Sequence, residues 1–330
     1  MINWSHSRDA KARPGSSFSA NVNFGSTKYN ENILNNPYQN FNNQLSSTIA
    51  YSKTWDNKYS LNLNLSHDQN NKTRLVNLSL PNGSFNASTI YPFQKKDAVG
   101  TAKWYEKLGI GYNANFQNRI SFYDTAANTR KILDTLQWGA EQSIPITLAL
   151  PSLGPIVISP SISFSQRLFG QKLIRYWDDV DTLVKTRKET GLFLQNNMSM
   201  GISANTRIFG TYLFKNKNLK AIRHEIRPQF GLSYTPDLVS KDFYEVQVDT
   251  SKRKIPFSYF EGGLYQSYSR GNFGGISFGV DNLLEMKVKD KKDTSASATK
   301  KVKLIDGFGF NSNYNLMADS LALGNFSLYL

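Results

Sequence analysis

The stretch YSLNLNLSH, residues 59–67, decides the fold class because apolar and polar side chains alternate along it without interruption. One set is apolar: Tyr59, Leu61, Leu63 and Leu65. The other set is small, polar and uncharged: Ser60, Asn62, Asn64 and Ser66. Successive side chains of a β-strand point to opposite faces of its sheet. The stretch therefore predicts a strand with one apolar and one polar face.

The same alternation recurs along the chain, in Ser17–Phe24, Leu108–Gln117 and Ile276–Val288. Its polar side consists mostly of Ser, Asn, Gly and Gln, whereas the outer face of a soluble β-sandwich is usually rich in Lys, Glu and Thr. A crowded, wet barrel lumen suits such small polar side chains. We predict an all-β fold, a partial antiparallel transmembrane β-barrel of about a dozen or more strands, with a soluble β-sandwich or solenoid as the alternative.

The composition agrees with a barrel. The chain has 330 residues, no cysteine and a net charge of +14, from 39 Lys and Arg against 25 Asp and Glu. No stretch approaches the roughly 18 uninterrupted apolar residues of a membrane helix. The mean hydropathy of −0.45 does not contradict a membrane location, because barrel strands are only half apolar. The lack of cysteine excludes disulfides and cysteine-based zinc sites.

The connections predict antiparallel hairpins. Short turns are expected at residues 13–15, 56–57, 81–83 and 153–155. Long polar connections are expected at residues 25–42, 178–189 and 237–268, and Lys287–Lys303 is expected to be a flexible loop. The alternation of short and long fails between about 69 and 136, which leaves the orientation of that region open. Residues 156–176 and 196–213 exceed the roughly ten residues needed to cross a membrane, so these strands should project beyond it.

The sequence gives little support for catalysis. Its three histidines, His6, His67 and His224, are far apart, and no nucleophile elbow, zinc-protease motif or phosphate loop is present. We predict no enzyme activity, no cofactor, no metal site and no nucleic-acid partner. An outer-membrane hydrolase stays a less favoured alternative.

Two groups of residues are candidate functional sites. Arg223, Glu225 and Arg227 share a parity opposite to that of Ile222 and Ile226, and charges facing lipid are costly, so we expect all three to face the lumen. They form either a self-satisfied salt-bridge network or a surface for an anionic, phosphate-bearing substrate.

Pro145 and Pro160 form the second group, because they lie inside strand patterns on either side of a predicted turn. Proline removes a hydrogen bond of the strand ladder. The pair marks either a weakened seam of the sheet or a device for bulging and curvature.

Several stretches resemble the family of LptD, the lipopolysaccharide-assembly protein of the outer membrane. RHEIRPQFGLSYTPD, residues 223–237, looks like the His…Pro…Tyr-x-Pro strand of that family. Four more stretches in the same order are similar to its barrel region: NGSFNASTIYPF (82–93), KWYEKLGIGYNANFQNRI (103–120), GGISFGVDNLLEMKVK (274–289) and YNLMADSL (314–321). Together they are spread over most of the chain.

The resemblance implies an outer-membrane translocon component that accepts lipopolysaccharide from periplasmic bridge proteins and inserts it into the outer leaflet. It implies lipopolysaccharide, an LptE-like lipoprotein plug and membrane lipids as partners. Residues 1–330 are then expected to be a single barrel segment, with the N-terminal periplasmic domain and the terminal strands missing. The family's disulfides have no counterpart here, since cysteine is absent. Another outer-membrane transporter or a porin remains the alternative function.

Overall fold

The computed structural model describes residues 2–8, 11–25, 44–95, 100, 102–124, 132, 134–215, 218–290 and 299–330. Strands dominate these ranges: β1 (Ile2–Ser7), β2 (Ser16–Phe24), β3 (Gln44–Trp55), β4 (Tyr59–Asn70), β5 (Leu75–Ile90), β6 (Leu108–Tyr123), β7 (Gln137–Leu148), β8 (Ile156–Asp178), β9 (Leu183–Thr206), β10 (Ile208–Leu213), β11 (Leu219–Thr235), β12 (Phe243–Gln247), β13 (Lys254–Ser258), β14 (Phe273–Lys289), β15 (Thr299–Asn315) and β16 (Ser327–Tyr329). Two short 3-10 helices, Trp104–Lys107 and Ser240–Asp242, lie in connections.

Fourteen strands form one antiparallel sheet in the order β1 to β9, then β11, β14, β15 and β16. Thirteen of these strands follow that order, and the remaining one, β10, continues β9 and pairs with β11. The strands β12 and β13 form a separate two-stranded sheet. In the part of the chain that the structure describes, β1 and β16 have one neighbour each, so the sheet is open, as expected for part of a barrel. The predicted all-β, antiparallel architecture is confirmed.

The sheet has two chemically different faces, which we call the outer face and the inner face. Across three strands, Ile202, Leu232 and Ile276 are in register on the outer face. Ile202 is 50% exposed and Leu232 43% exposed. One residue further along, Ser203 and Gly231 occupy the inner face. Alternation along these three strands thus separates apolar from small polar side chains.

The apolar outer face is not covered by another layer of the protein. Among the described residues, only nine apolar side chains are buried, far fewer than a soluble chain of this length would bury. Over the described ranges, Leu61, Leu63, Phe278 and Val280 pack in the single sheet, without a second sheet or helix layer against them. An apolar face left open over so many strands is the arrangement of a membrane barrel.

The connections alternate between two ends of the sheet, which we call the turn end and the loop end. At the turn end, the predicted turns at 13–15, 56–57 and 153–155 are confirmed. The predicted turn at 81–83 is wrong, because these residues lie inside β5. There the pairing with β4 and with β6 shifts register, so the Pro and Gly mark irregular pairing within a strand and not its end.

The loop end also differs from the prediction. The expected long connection 178–189 is a tight turn, because β8 runs to Asp178 and β9 begins at Leu183. Most of the expected connection 25–42 lies outside the described residues. The region between 69 and 136 now has a clear orientation, because β4 is followed by β5 and β6 by β7 at the loop end, and β5 is followed by β6 at the turn end.

Two further predictions concern strand length. Strands β8 and β9 contain 23 and 24 residues and exceed a membrane crossing, which confirms the long strands. The expected strand 196–213 is divided at Arg207 into β9 and β10, which keep one common register against β11. The loop expected at Lys287–Lys303 is shorter, since β14 extends to Lys289 and β15 begins at Thr299.

Candidate functional site: the inner face and its two ends

The charged cluster of β11 lies near the turn end. Glu225 is 7% exposed, and its Oε1 accepts a hydrogen bond from Nε of Arg227 at 2.6 Å. The guanidinium of Arg223 lies over the ring of Phe209, 4.4 Å from its centroid. The structure thus brings the three predicted residues together on one parity of β11, with Glu225 bonded to one of the two arginines.

Neighbouring strands extend this cluster. In the register of the sheet, Arg223 is opposite Glu285 and Arg227 is opposite Asp281. Glu285 is in turn opposite Lys303, and the next pair is Lys287 with Lys301. Arg207 lies at the break between β9 and β10, close enough to act electrostatically on Glu225. The cations along these strands outnumber the carboxylates, so the ion pairs leave an excess of positive charge.

Further from the turn end, the inner face forms a polar groove of about 560 Å³ across β9, β11, β14 and β15. Its lining includes hydroxyl and carboxamide side chains from every one of these strands: Ser203, Asn205, Gln229, Ser277, Asn311 and Asn313. Gly231 leaves room here, since a Cβ at this position would lie 2.5 Å from Oγ of Ser277. Uncharged donors and acceptors in an open groove are suited to the hydroxyl groups of sugars.

At the loop end, the connection 236–272 folds back onto the inner face, and we call it the inner loop. It contains β12, β13 and a small apolar cluster with β8 and β9. The ring of Phe260 stacks on Phe169 with centroids 4.0 Å apart, and Tyr265 joins them. The hydroxyl of Tyr265 donates to the carbonyl of Asn115 on β6 at 3.2 Å. The inner loop therefore covers part of the inner face of β6–β9.

Gln195 of β9 forms hydrogen bonds with two separate segments of the inner loop. It is 1% exposed, and its Nε2 donates to Oδ2 of Asp242 at 3.2 Å and to Oγ of Ser267 at 2.9 Å. Its Oε1 accepts the backbone N–H of Tyr268 at 2.9 Å. One side chain therefore satisfies polar groups from two segments of the inner loop that are about 25 residues apart in the sequence.

Charged and aromatic groups complete this contact. Arg167 pairs with Glu141 at 2.9 Å and lies over the ring of Tyr268. Burial raises the pKa of Tyr265 and of Tyr268 to about 12, so both hydroxyls stay protonated at neutral pH. Burial also raises the pKa of Asp242, so this carboxyl group binds a proton more readily than an exposed aspartate does.

Asp237 joins the two ends of the inner loop by hydrogen bonds. Its carboxylate accepts backbone N–H groups of Val239, Ser240 and Gly271 at 2.8–3.0 Å and also the hydroxyl of Ser240. The bond from Ser240 is the largest of several that lower the pKa of Asp237. Since Gly271 is at the far end of the loop, this carboxylate holds the two ends together.

Of the two predicted prolines, Pro145 lies inside β7 and Pro160 lies in the neighbouring strand β8. Pro145 is opposite Ser163 of β8, and the pairing of β7 with β8 is continuous there. The pairing of β7 with β6 is interrupted, since it runs to Ile110 and resumes at Asn113. Pro160 lies just beyond the last pair of β7 with β8, Thr147 with Ser161. Pro145 therefore accompanies an interruption of pairing on the β6 side of β7, whereas Pro160 stays paired with Ile202 of β9.

The histidines are spread over the sheet, on β1, β4 and β11. His67 lies 3.5 Å from Oγ of Ser47, and His224 bonds the side chain of Asn282 at 3.0 Å. Within the described ranges, no cluster of three or more His, Cys, Asp or Glu could hold a metal ion. The same ranges contain no helix that is long and apolar enough to cross a membrane.

The sequence interpretation missed the inner loop and Gln195. Residues 237–268 were expected to be only a long polar connection. The signal was their aromatic content: Phe243, Tyr244, Phe257, Tyr259, Phe260, Tyr265 and Tyr268. So many rings in a connection indicate that it packs on something. Gln195 carried no such signal, because its neighbours Asn196 and Asn197 are also carboxamides.

An antiparallel sheet with an open apolar face, a polar inner face and a loop folded onto that inner face defines an outer-membrane β-barrel protein. The family model described as LptD protein matches residues 1–330, the whole chain. The chain therefore belongs to the LptD family, whose members are outer-membrane proteins of lipopolysaccharide transport and assembly. No curated protein matches it.

Proposed function

We propose that this chain is part of the translocon that inserts lipopolysaccharide into the outer leaflet, and that the inner face carries the sugar and phosphate part. The observation that supports this most is the charge and polarity along the inner face. Cations in excess lie near the turn end, and uncharged hydroxyls and carboxamides follow toward the loop end. With the turn end toward the periplasm, a phosphorylated glycolipid meets cations first and a sugar-binding surface next.

Arg223, Glu225 and Arg227 then have separate roles. Arg227 is 42% exposed in its side chain, although it is bonded to Glu225. Among the described residues, Arg223 contacts the ring of Phe209 and forms no ion pair, so its charge stays available for a phosphate. Glu225 limits the affinity by competing for Arg227, which suits a surface that must release its substrate.

The acyl chains leave through a weak seam beside β7. At the interruption of the β6–β7 pairing, Pro145 has no N–H to donate. Separating β6 from β7 here breaks fewer backbone hydrogen bonds than at an uninterrupted pair of strands. An LptE-like lipoprotein plug and the periplasmic bridge proteins are the partners we propose for the complete translocon.

Photocrosslinking in the full-length protein during transport tests the route. A photoreactive residue at Gln229, on the inner face, should capture lipopolysaccharide, and one at Phe230, on the outer face, should capture it less. Arg223→Gln with Arg227→Gln should reduce capture at Gln229 several-fold, and Glu225→Gln should increase it. Equal capture at both positions, with no effect of the arginines, contradicts the inner-face route.

A further inference from the structure

The apolar outer face contains a row of polar side chains that the transport route does not use. The hydroxyl of Tyr112 donates to Oε1 of Gln142 at 2.9 Å, and Nε2 of Gln142 donates to Oε1 of Gln166 at 2.8 Å. Nε2 of Gln166 then donates to Oδ1 of Asn196 at 2.8 Å. These four residues, which we call the carboxamide ladder, cross β6, β7, β8 and β9.

The ladder lies on the outer face. Gln166 shares its parity on β8 with Ile162 and Phe164, and Asn196 shares its parity on β9 with Met198 and Met200. Inner-face neighbours such as Ser165 and Asn197 pair separately, one residue along. Polar groups on this face must satisfy each other or find polar atoms in the membrane, since hydrocarbon offers no partner.

Strand length places the upper part of the ladder at the outer edge of the hydrocarbon. Gln166 is ten residues from the start of β8 at the turn end, and Asn196 is ten residues from the last residue of β9. Ten residues of a strand tilted by about 40° rise about 25 Å, the height of the apolar band of a barrel. The outer-face residues of β8 below Gln166 are apolar without exception: Ile156, Ile158, Pro160, Ile162 and Phe164.

The hydrogen bonds within the ladder leave donors unused. A primary carboxamide has two N–H donors, and Gln142 and Gln166 each use one for the next residue of the row. Asn196 is the last residue of the row, because the pairing of β9 with β11 runs from Asn205 to Met200 and does not reach Asn196. The unused donors of Gln166 and Asn196 face the level of the membrane at which lipid carbonyl and phosphate oxygens occur.

The membrane level of Gln166 and Asn196 favours one kind of lipid. The two residues lie on adjacent strands, about 4.8 Å apart, at the outer edge of the hydrocarbon. The outer leaflet at this level is the one into which the LptD family inserts lipopolysaccharide, whose acyl linkages and phosphates carry acceptor oxygens. We infer that the upper carboxamide ladder, Gln166 and Asn196, binds the acyl-linkage and phosphate oxygens of lipid A, the membrane anchor of lipopolysaccharide, in the outer leaflet. This inference rests on the outer-membrane location and not on the inner-face route, so each can fail without the other.

The test compares full-length protein carrying Gln166→Leu and Asn196→Leu with the parent in nanodiscs that contain either lipid A or phosphatidylcholine. Native mass spectrometry should show at least about fivefold less retained lipid A for the variant and an unchanged amount of phosphatidylcholine. The matched control, Ser165→Ala with Asn197→Leu, changes the same strands at the same level on the inner face and should retain lipid A like the parent.

The inference is overturned if the folded outer-face variant retains as much lipid A as the parent. The carboxamide ladder would then serve only to join the strands by hydrogen bonds. A second measurement applies if the double variant does not fold. A photoreactive residue at Leu168, which follows Gln166 on the outer face, should crosslink lipid A in otherwise unchanged protein. Lack of a crosslink there, with a crosslink to phosphatidylcholine instead, also overturns it.

Discussion

The inner loop depends on Gln195, and Gln195→Leu should release it. Leucine has a similar volume but no polar atom, so the change leaves Oδ2 of Asp242 and the N–H of Tyr268 without the partner they have now. An unsatisfied buried group costs about 1–3 kcal/mol, and two such groups cost about 2–6 kcal/mol. Since about 1.4 kcal/mol corresponds to a factor of ten in an equilibrium, the open population of the loop should rise at least about 30-fold.

Hydrogen exchange of the full-length protein, read by mass spectrometry, measures this directly. Peptides covering residues 243–268 should exchange at least about 30-fold faster in Gln195→Leu, and peptides from β8 below residue 166 should be unaffected. Asn197→Leu is the control, because Asn197 is the next inner-face residue of β9. Unchanged exchange of the loop refutes the role of Gln195, and equal acceleration in the loop and in β8 refutes the idea that the loop opens as a unit.

Three further changes test the same end of the sheet and the seam. Burial raises the pKa of Asp242, so the docked loop binds a proton more readily than the open loop, and docking should be strongest below the ordinary carboxyl pKa and weaken as pH rises through the raised value. Asp242→Asn should abolish this pH dependence of hydrogen exchange. If the variant keeps the pH dependence, another group causes it. A Cβ at Gly139 would lie 2.9 Å from the ring of Tyr265 and 3.0 Å from the carbonyl of Leu168. Gly139→Ala should therefore displace the inner loop and speed its hydrogen exchange about tenfold. An unchanged exchange rate would mean that Gln195 alone holds the loop. Pro145→Val restores a backbone N–H at the interruption of the β6–β7 pairing and should raise the free energy of unfolding in urea by about 1 kcal/mol. The same variant should slow lipopolysaccharide transfer, and a faster transfer contradicts the proposed seam.

The fold could largely be predicted from the sequence, because strand periodicity is a local property. The alternation in residues 59–67 and 276–288 predicted both the strands and the composition of the two faces, and the structure confirms them. The errors occurred where local turn signals competed with pairing. Pro81 and Gly83 are typical turn residues, yet β5 continues through them because β4 and β6 pair with it on both sides of the irregularity.

The candidate site could be predicted only in part. Parity along β11 was enough to group Arg223, Glu225 and Arg227, although which of the arginines Glu225 binds depends on side-chain geometry. The neighbours of the cluster, such as Glu285 and Arg207, follow from the register between strands, which alternation within one strand does not specify. The carboxamide ladder likewise needs three registers at once, so no single stretch of the sequence indicates it.

The sequence by itself determined the class of this protein: strands with one apolar and one polar face, and therefore a membrane barrel. The resemblance of five stretches to the LptD family pointed to the family, which the match over residues 1–330 shows. Only the tertiary structure decided that residues 236–272 cover the inner face, that Gln195 holds them there, and that carboxamides align across β7, β8 and β9 on the lipid side. The physical reason is the range of the interactions. Alternation acts between adjacent residues, whereas loop docking and ladders join residues brought together by strand register and by the return of a distant segment.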